Sequence, residues 1–210
     1  MRMRLAPEGY PFIAGAVLIL ALLAAVAPPA VAVAWLLVTI WVVAFFRDPV
    51  PEGPFDPASL LAPADGKVVS VIETDEPAVF GGRAIRISIF MNVFDCHVNR
   101  YPCAGVVRFR DYRAGRFGHA GEDKASLDNE QSTVGLETPR GPVVIRQIAG
   151  LVARRIVTDH EVGRTVAQAE RLGMIRFGSR VDLFVPLGTA VEVGVGDRTR
   201  VARTVVARWS

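Results

Sequence analysis

The sequence predicts a mainly β fold, a small antiparallel sandwich or barrel-like domain set behind an N-terminal two-helix hairpin of membrane character. Three observations predict it. Residues Tyr10 to Phe46 carry no charge, in a chain that is 21% charged overall. Pro28-Pro29 cuts that tract in two. Everything after it consists of short β-rich runs punctuated by Gly, Pro and Asp, with no long helical period.

The two apolar segments, Tyr10–Val26 and Ala30–Phe46, are equal in length. As helices each reaches about 25 Å, slightly short of a hydrocarbon core of about 30 Å. They either cross a thin bilayer or dip in and return from the same side. Arg2 and Arg4 precede the pair and Arg47 follows it, which places both ends on the cytoplasmic side. Trp41, Phe45 and Phe46 suit an interface. A cleaved leader is the competing reading, from the basic start and Ala25-Val26-Ala27. Pro28 directly after that site and a second full apolar segment argue against it. A soluble helical hairpin is disfavoured because neither segment has a polar face. The expected organisation is an anchor over residues 1–47 and a β domain over 48–210.

In the β domain the expected strands are Lys67–Ile72, Arg83–Phe90, Gly105–Tyr112, Val143–Ile148, Val152–Val157, Arg180–Val185 and Ala190–Val195. Ile85, Ile87 and Ile89 alternate cleanly with Arg86 and Ser88, so one face is apolar. Val166–Leu172 is read as a helical turn or two. Gly188–Ala207 reads as strand, Gly194–Asp197 turn, strand, and resembles the hairpins of lipoyl-type domains without their tip lysine. It supports one alternative role, a non-catalytic membrane-tethered scaffold or adaptor. Of 24 basic and 21 acidic residues, two and one lie before Arg47, so the β domain is nearly neutral. With no Lys/Arg run or RNA-binding aromatic motif, nucleic acid is not an expected partner. Cys96 and Cys103 are too few for a disulfide scaffold and badly spaced for zinc, so no metal is expected.

The chemically suggestive segment is Phe177-Gly178-Ser179, just before an expected strand. Gly-Ser is commonly a turn, and Gly-x-Ser-x-Gly, the hydrolase elbow, is absent. A second reading is self-cleavage. A serine hydroxyl can attack the carbonyl before it, and a glycine there leaves that carbonyl unhindered. Elimination from the ester then leaves a dehydroalanine that becomes a pyruvoyl ketone, an electron sink for decarboxylation.

Four segments in series carry a family resemblance: Ala62–Val68, Phe90–Pro102, Asp123–Ser126 with Asn129-Glu130, and Phe177–Ser179. Together they resemble the phosphatidylserine decarboxylases, particularly the short bacterial and archaeal branch, from about Pro63 to Pro186. The resemblance implies cleavage between Gly178 and Ser179 and a pyruvoyl cofactor made from Ser179. Fragments 1–178 and 179–210 would stay together as a heterodimer. Phosphatidylserine would be decarboxylated through a Schiff base to phosphatidylethanolamine, with membrane lipid as partner and the catalytic domain facing the cytoplasm. Archaetidylserine is an alternative substrate. Asp65 and His97 are implied as the self-processing pair. Many longer members have His-x-x-His where this chain has His97 and Arg100, so either His97 serves both steps in turn or His119 supplies the second function. Arg100 and Lys124 are candidates for the substrate headgroup. Without the resemblance, Asp65-Gly66 reads as a turn pair, His97 as a packed histidine, His119 as a loop residue and His160 as an exposed turn.

Overall fold

A computed structural model describes residues 2–53, 55–115, 129–150, 156–176 and 179–209. The chain forms two compact units, Met1–Glu52 and Gly53–Ser210.

In the first unit, helices α1 (Tyr10–Val26) and α2 (Pro29–Phe45) are separated by Ala27 in an extended conformation and by Pro28. Pro29 sits in the first turn of α2, where its missing N–H costs nothing. Strands β1 (Met3–Leu5) and β2 (Arg47–Pro49) pair antiparallel, so the two ends of the hairpin are tied and the unit extends past Arg47. The indole N–H of Trp35 donates to the Ala16 carbonyl at 2.9 Å, and Thr39 donates to the Trp35 carbonyl at 3.0 Å. Gly9 lets Phe46 close against the start of α1, since a Cβ there would lie 2.4 Å from the ring. Leu18, Val26 and Leu37 are exposed. The stretch Pro7–Val26, of mean hydropathy 2.3, is long and apolar enough to cross a membrane; Pro29–Phe45 is apolar but shorter.

The second unit is built on β3 (Ser59–Leu61), β4 (Gly66–Glu76), β5 (Gly82–Met91), β6 (Val98–Arg100), β7 (Gly105–Arg113), β8 (Gln131–Thr138) and β9 (Gly141–Ile148). It continues with β10 (Ile156–Thr158), β11 (Thr165–Val166), β12 (Arg171–Ile175), β13 (Ser179–Val185), β14 (Ala190–Val191), β15 (Arg198–Thr199) and β16 (Val205–Arg208). A curled antiparallel sheet of eight strands runs β11-β7-β8-β9-β13-β5-β4-β15. Two three-stranded sheets, β10-β12-β6 and β14-β16-β3, complete the unit. The fold is therefore the mainly β, antiparallel class expected. Register shifts at Val68/Ser70 and Val107/Phe109 mark bulges, which bend strands and help a sheet curl.

The core lies on one face of the large sheet. Ile87, Ile89, Val134, Leu136, Ile145, Val181 and Leu183 are all buried there, each contributing about 2 kcal/mol of apolar transfer energy. The opposite face is also largely buried and is mixed, with Arg180, Asp182 and Arg146 beside a small apolar cluster of Ala84, Val144 and Phe184. Glu76 accepts from the Val79 and Phe80 amides, folding the turn after β4 over the sheet. Gly135 makes room, because a Cβ there would meet Val79 at 2.8 Å. Beneath that cover Arg146 donates to Glu76 and to Thr133, and its guanidinium lies 4.8 Å above the Phe184 ring.

Two local expectations are corrected. Val166–Leu172 is not helical: Val166 ends β11, a turn follows with Ala169 at φ 65°, and β12 starts at Arg171. Pairing of β12 with β6 and β10 outweighs the local helical pattern. Nor do the segments flanking the Gly194–Asp197 turn pair with each other. Ala190–Val191 pairs with Ala207–Arg208, and Arg198–Thr199 pairs with Gly66–Lys67, so no lipoyl-type hairpin forms.

Candidate active site

The site is built where the chain passes twice between the same two sheets. Strand β5 ends at Met91, and by Val98 the chain has entered β6 of the smaller sheet. It returns from β12, which ends at Ile175, to β13, which opens at Ser179. The passages are tied at both ends. Ser179 is the register partner of Met91, and Met174 that of Val98. The Ile175 amide also donates to the His97 carbonyl at 3.3 Å. Backbone pairing thus brings His97 and the Ser179 segment together across more than eighty positions of sequence.

Ser179 belongs to a strand whose seven residues are all buried. Strand alternation places it on the same face as the core residues Val181, Leu183 and Val185. Its hydroxyl oxygen is buried with no hydrogen-bond partner among the described residues. A buried polar group in that state calls for an explanation, and a chemical role is one.

His97 is fully buried. Its Nδ1 lies 3.0 Å from the Asp95 carbonyl oxygen. A carbonyl only accepts, so Nδ1 donates a proton to it, and Nε2, the other ring nitrogen, is also buried. The turn supplying that carbonyl is tightly made: Asp95 Oδ2 accepts from the Asn92 amide and Asn92 Oδ1 accepts from the Phe94 amide. Asp65 accepts from the Cys96 amide at 3.3 Å and from the Val201 amide at 2.7 Å. A main-chain carbonyl therefore orients the ring, while the Asp65 carboxylate holds the chain one residue before it. Gly66 permits this approach. At φ 151° it lies against β5 so closely that a Cβ would sit 2.2 Å from the Phe90 carbonyl oxygen.

Two supports were not foreseen from sequence. Arg180 and Asp182, both buried, form a paired salt bridge with two contacts of 2.8 Å on the face of β13 opposite Ser179. Beside β13 runs a chain of polar side chains: Gln147 donates to Asn99 at 2.8 Å, Thr158 donates to Gln147 at 3.0 Å, and Ser132 lies 2.8 Å from Thr158. It links β6, β9, β10 and β8, and so fixes the small sheet carrying His97 against the strand next to Ser179. The available signal was polar residues at positions where strand alternation points inward.

Gly178, His119 and Lys124 lie outside the described residues. Arg100 is buried and donates to the Ala169 carbonyl at 3.1 Å, joining β6 to the turn before β12. His160 is not an exposed turn residue. It stacks on buried Tyr101 at 5.7 Å, and its Nε2 lies 3.4 Å from Glu170. Burial, with Glu170 and Asp159 nearby, raises the Tyr101 phenol far above its ordinary value. Cys96 and Cys103 are buried and not disulfide-bonded, and burial pushes Cys103 up to about 12.

The profile of the phosphatidylserine decarboxylase family matches residues 38–207. A phosphatidylserine decarboxylase proenzyme of Nitrosomonas europaea is 43% identical over 206 residues, covering 98% of this chain and 95% of the relative. One from Nitrobacter winogradskyi is 45% identical over 207 residues, covering 96% of this chain and 83% of the relative. One from Desulfotalea psychrophila is 42% identical over 204 residues, covering 97% and 95%. With identity at this level along nearly the whole chain, and the family profile matching most of it, the chain belongs to the phosphatidylserine decarboxylase family.

Proposed function

We propose that the protein is a proenzyme that cuts itself before Ser179 and then decarboxylates phosphatidylserine to phosphatidylethanolamine. The observation that carries the reading is the buried Ser179 hydroxyl, without a hydrogen-bond partner among the described residues, at the head of a central strand joined by backbone pairing to the His97 segment. The names of the relatives, decarboxylase proenzymes, support it.

In this reading the neutral His97 takes the Ser179 proton through Nε2. The Ser179 oxygen adds to the Gly178 carbonyl, and the peptide becomes an ester as the C–N bond breaks. Removal of the Ser179 α-proton expels the Gly178 carboxylate, giving one chain that ends at Gly178. The dehydroalanine left on the other chain tautomerises, and water replaces its nitrogen, releasing ammonia. The resulting pyruvoyl group supplies a carbonyl that condenses with a substrate amine and draws electrons from the breaking Cα–carboxylate bond. The setting fits such a group, because the Ser179 side chain from which it would be made is buried, its hydroxyl without a hydrogen-bond partner among the described residues. His119 and Lys124 are the candidates for a second proton carrier and a headgroup contact. The apolar helices would hold the enzyme at its lipid substrate, with Arg2, Arg4 and Arg47 keeping the catalytic unit on the cytoplasmic side.

Intact mass measurement of the wild type and Ser179→Ala tests the reading. Two chains meeting at Gly178–Ser179, the smaller with a blocked N-terminus, and one uncut inactive chain for the variant are expected. An uncut wild type that releases carbon dioxide from phosphatidylserine would overturn the mechanism.

A further inference from the structure

Two turns beside the site expose apolar side chains that the core does not use. The Asn92–Asp95 turn, between β5 and His97, presents Val93 at 37% and Phe94 at 72% exposure. The Gly194–Asp197 turn presents Val195 at 68%. The turns are neighbours. Val68 exchanges hydrogen bonds with Gly196 and Asp197, Lys67 pairs with Phe90 on one side and Arg198 on the other, and Arg198 lies 3.5 Å from Asp95. Around them the exposed basic residues are Lys67, Arg198, Arg200 and Arg203, against the acids Asp95 and Asp197. Apolar tips ringed by an excess of basic charge form the usual chemistry for seating on an anionic bilayer.

We infer that the catalytic unit docks site-first on anionic lipid through Phe94, Val93 and Val195, with Lys67, Arg198 and Arg200 meeting the headgroups. The inference deepens the decarboxylase reading, since a lipid substrate has to reach Ser179 from a bilayer. Phe94 lies three residues before His97, and Met91, on its other side, faces Ser179 in register. Docking by this turn brings the segment that carries His97 to the lipid surface. Every residue of this contact belongs to the second unit.

The buried native thiols allow a direct test on the full chain. Phe94→Cys and, as a control, Leu187→Cys are each labelled with an environment-sensitive fluorophore and reconstituted into vesicles. Leu187 is an exposed apolar residue just past the far end of β13, about 25 Å along the strand from Ser179. The anionic lipid is phosphatidylglycerol, which has no amine and so is not a substrate. The Phe94→Cys label should shift to the blue and be quenched by brominated lipid in phosphatidylglycerol vesicles, the Leu187→Cys label in neither respect. Arg198→Gln and Arg200→Gln should each lower the anionic-lipid dependence roughly five-fold. A Phe94→Cys label that stays in water, responds equally to neutral lipid, or is already shielded in detergent would overturn the docking surface. The outcome is independent of turnover, whereas an uncut wild-type chain would remove the decarboxylase reading and leave docking standing.

Discussion

Replacing Arg180 by Met separates the charge at the head of β13 from its packing. Arg180 and Asp182 are 1% and 0% exposed, two residues apart on one strand, and joined by two contacts of 2.8 Å. Breaking a buried pair by removing one partner costs about 3–5 kcal/mol, because the remaining charge keeps its desolvation penalty. Asp182 also faces Arg146, its register partner on β9, which moderates that penalty. The expected loss is therefore about 3 kcal/mol, the lower end. The double variant Arg180→Met/Asp182→Leu removes both charges at similar volume and should recover most of it. Urea unfolding of the uncut Ser179→Ala protein in detergent, followed by Trp209 fluorescence with Trp35 and Trp41 replaced by Phe, measures the effect without interference from cleavage. In the serine-bearing background, single-variant chains should cleave more slowly than the double variant, since Ser179 adjoins Arg180. A loss under 1 kcal/mol for the single variant, or a double variant no better than the single, would refute the account of the pair as an electrostatic clamp.

Gly66→Ala places a methyl 2.2 Å from the Phe90 carbonyl oxygen in a backbone conformation that alanine resists, so a loss of about 3 kcal/mol and little cleaved chain on a denaturing gel are expected. His97→Ala should slow the appearance of the cleaved chains at least about 100-fold, and unchanged kinetics would remove His97 from the processing step. Cys103 gives a pH signature. Its thiol ionises near 9.0 when exposed and at about 12 in the fold, so the folded state binds the proton more tightly. The stabilisation is complete below pH 9 and is lost as pH climbs toward 12; Cys103→Ala should flatten that slope in unfolding curves.

Much of the framework was legible because it is local. Ile85, Ile87 and Ile89 show one apolar face in any strand, and the uncharged tract between Tyr10 and Phe46 marks its own limits. Strand β8 was not legible, for its first three residues, Gln131, Ser132 and Thr133, look like solvent-facing chain. They are buried, and Ser132 and Thr133 find polar partners in Thr158 and Arg146 from other strands. The same limit applies at the site. Asp65, His97 and Ser179 could be named from chemistry and motif, but the Met91 register of Ser179 and the Asp65 contact to Cys96 are long-range pairings. The contact of the His97 ring with the Asp95 carbonyl is a consequence of the Asn92–Asp95 turn, which only the fold displays.

Strand β13 occupies the interior of its sheet, between β9 and β5, and the chain beyond it returns to β4 and β3 through β15 and β16. Folding of the uncut chain is unimolecular, with both halves of the sheet delivered at fixed effective concentration. A cut before Ser179 would leave every one of those pairings in place while making their loss a second-order event to reverse. The two-chain form would then refold from denaturant only at a rate set by protein concentration, if at all. Its durability in the cell would be a matter of unfolding rate and not of equilibrium.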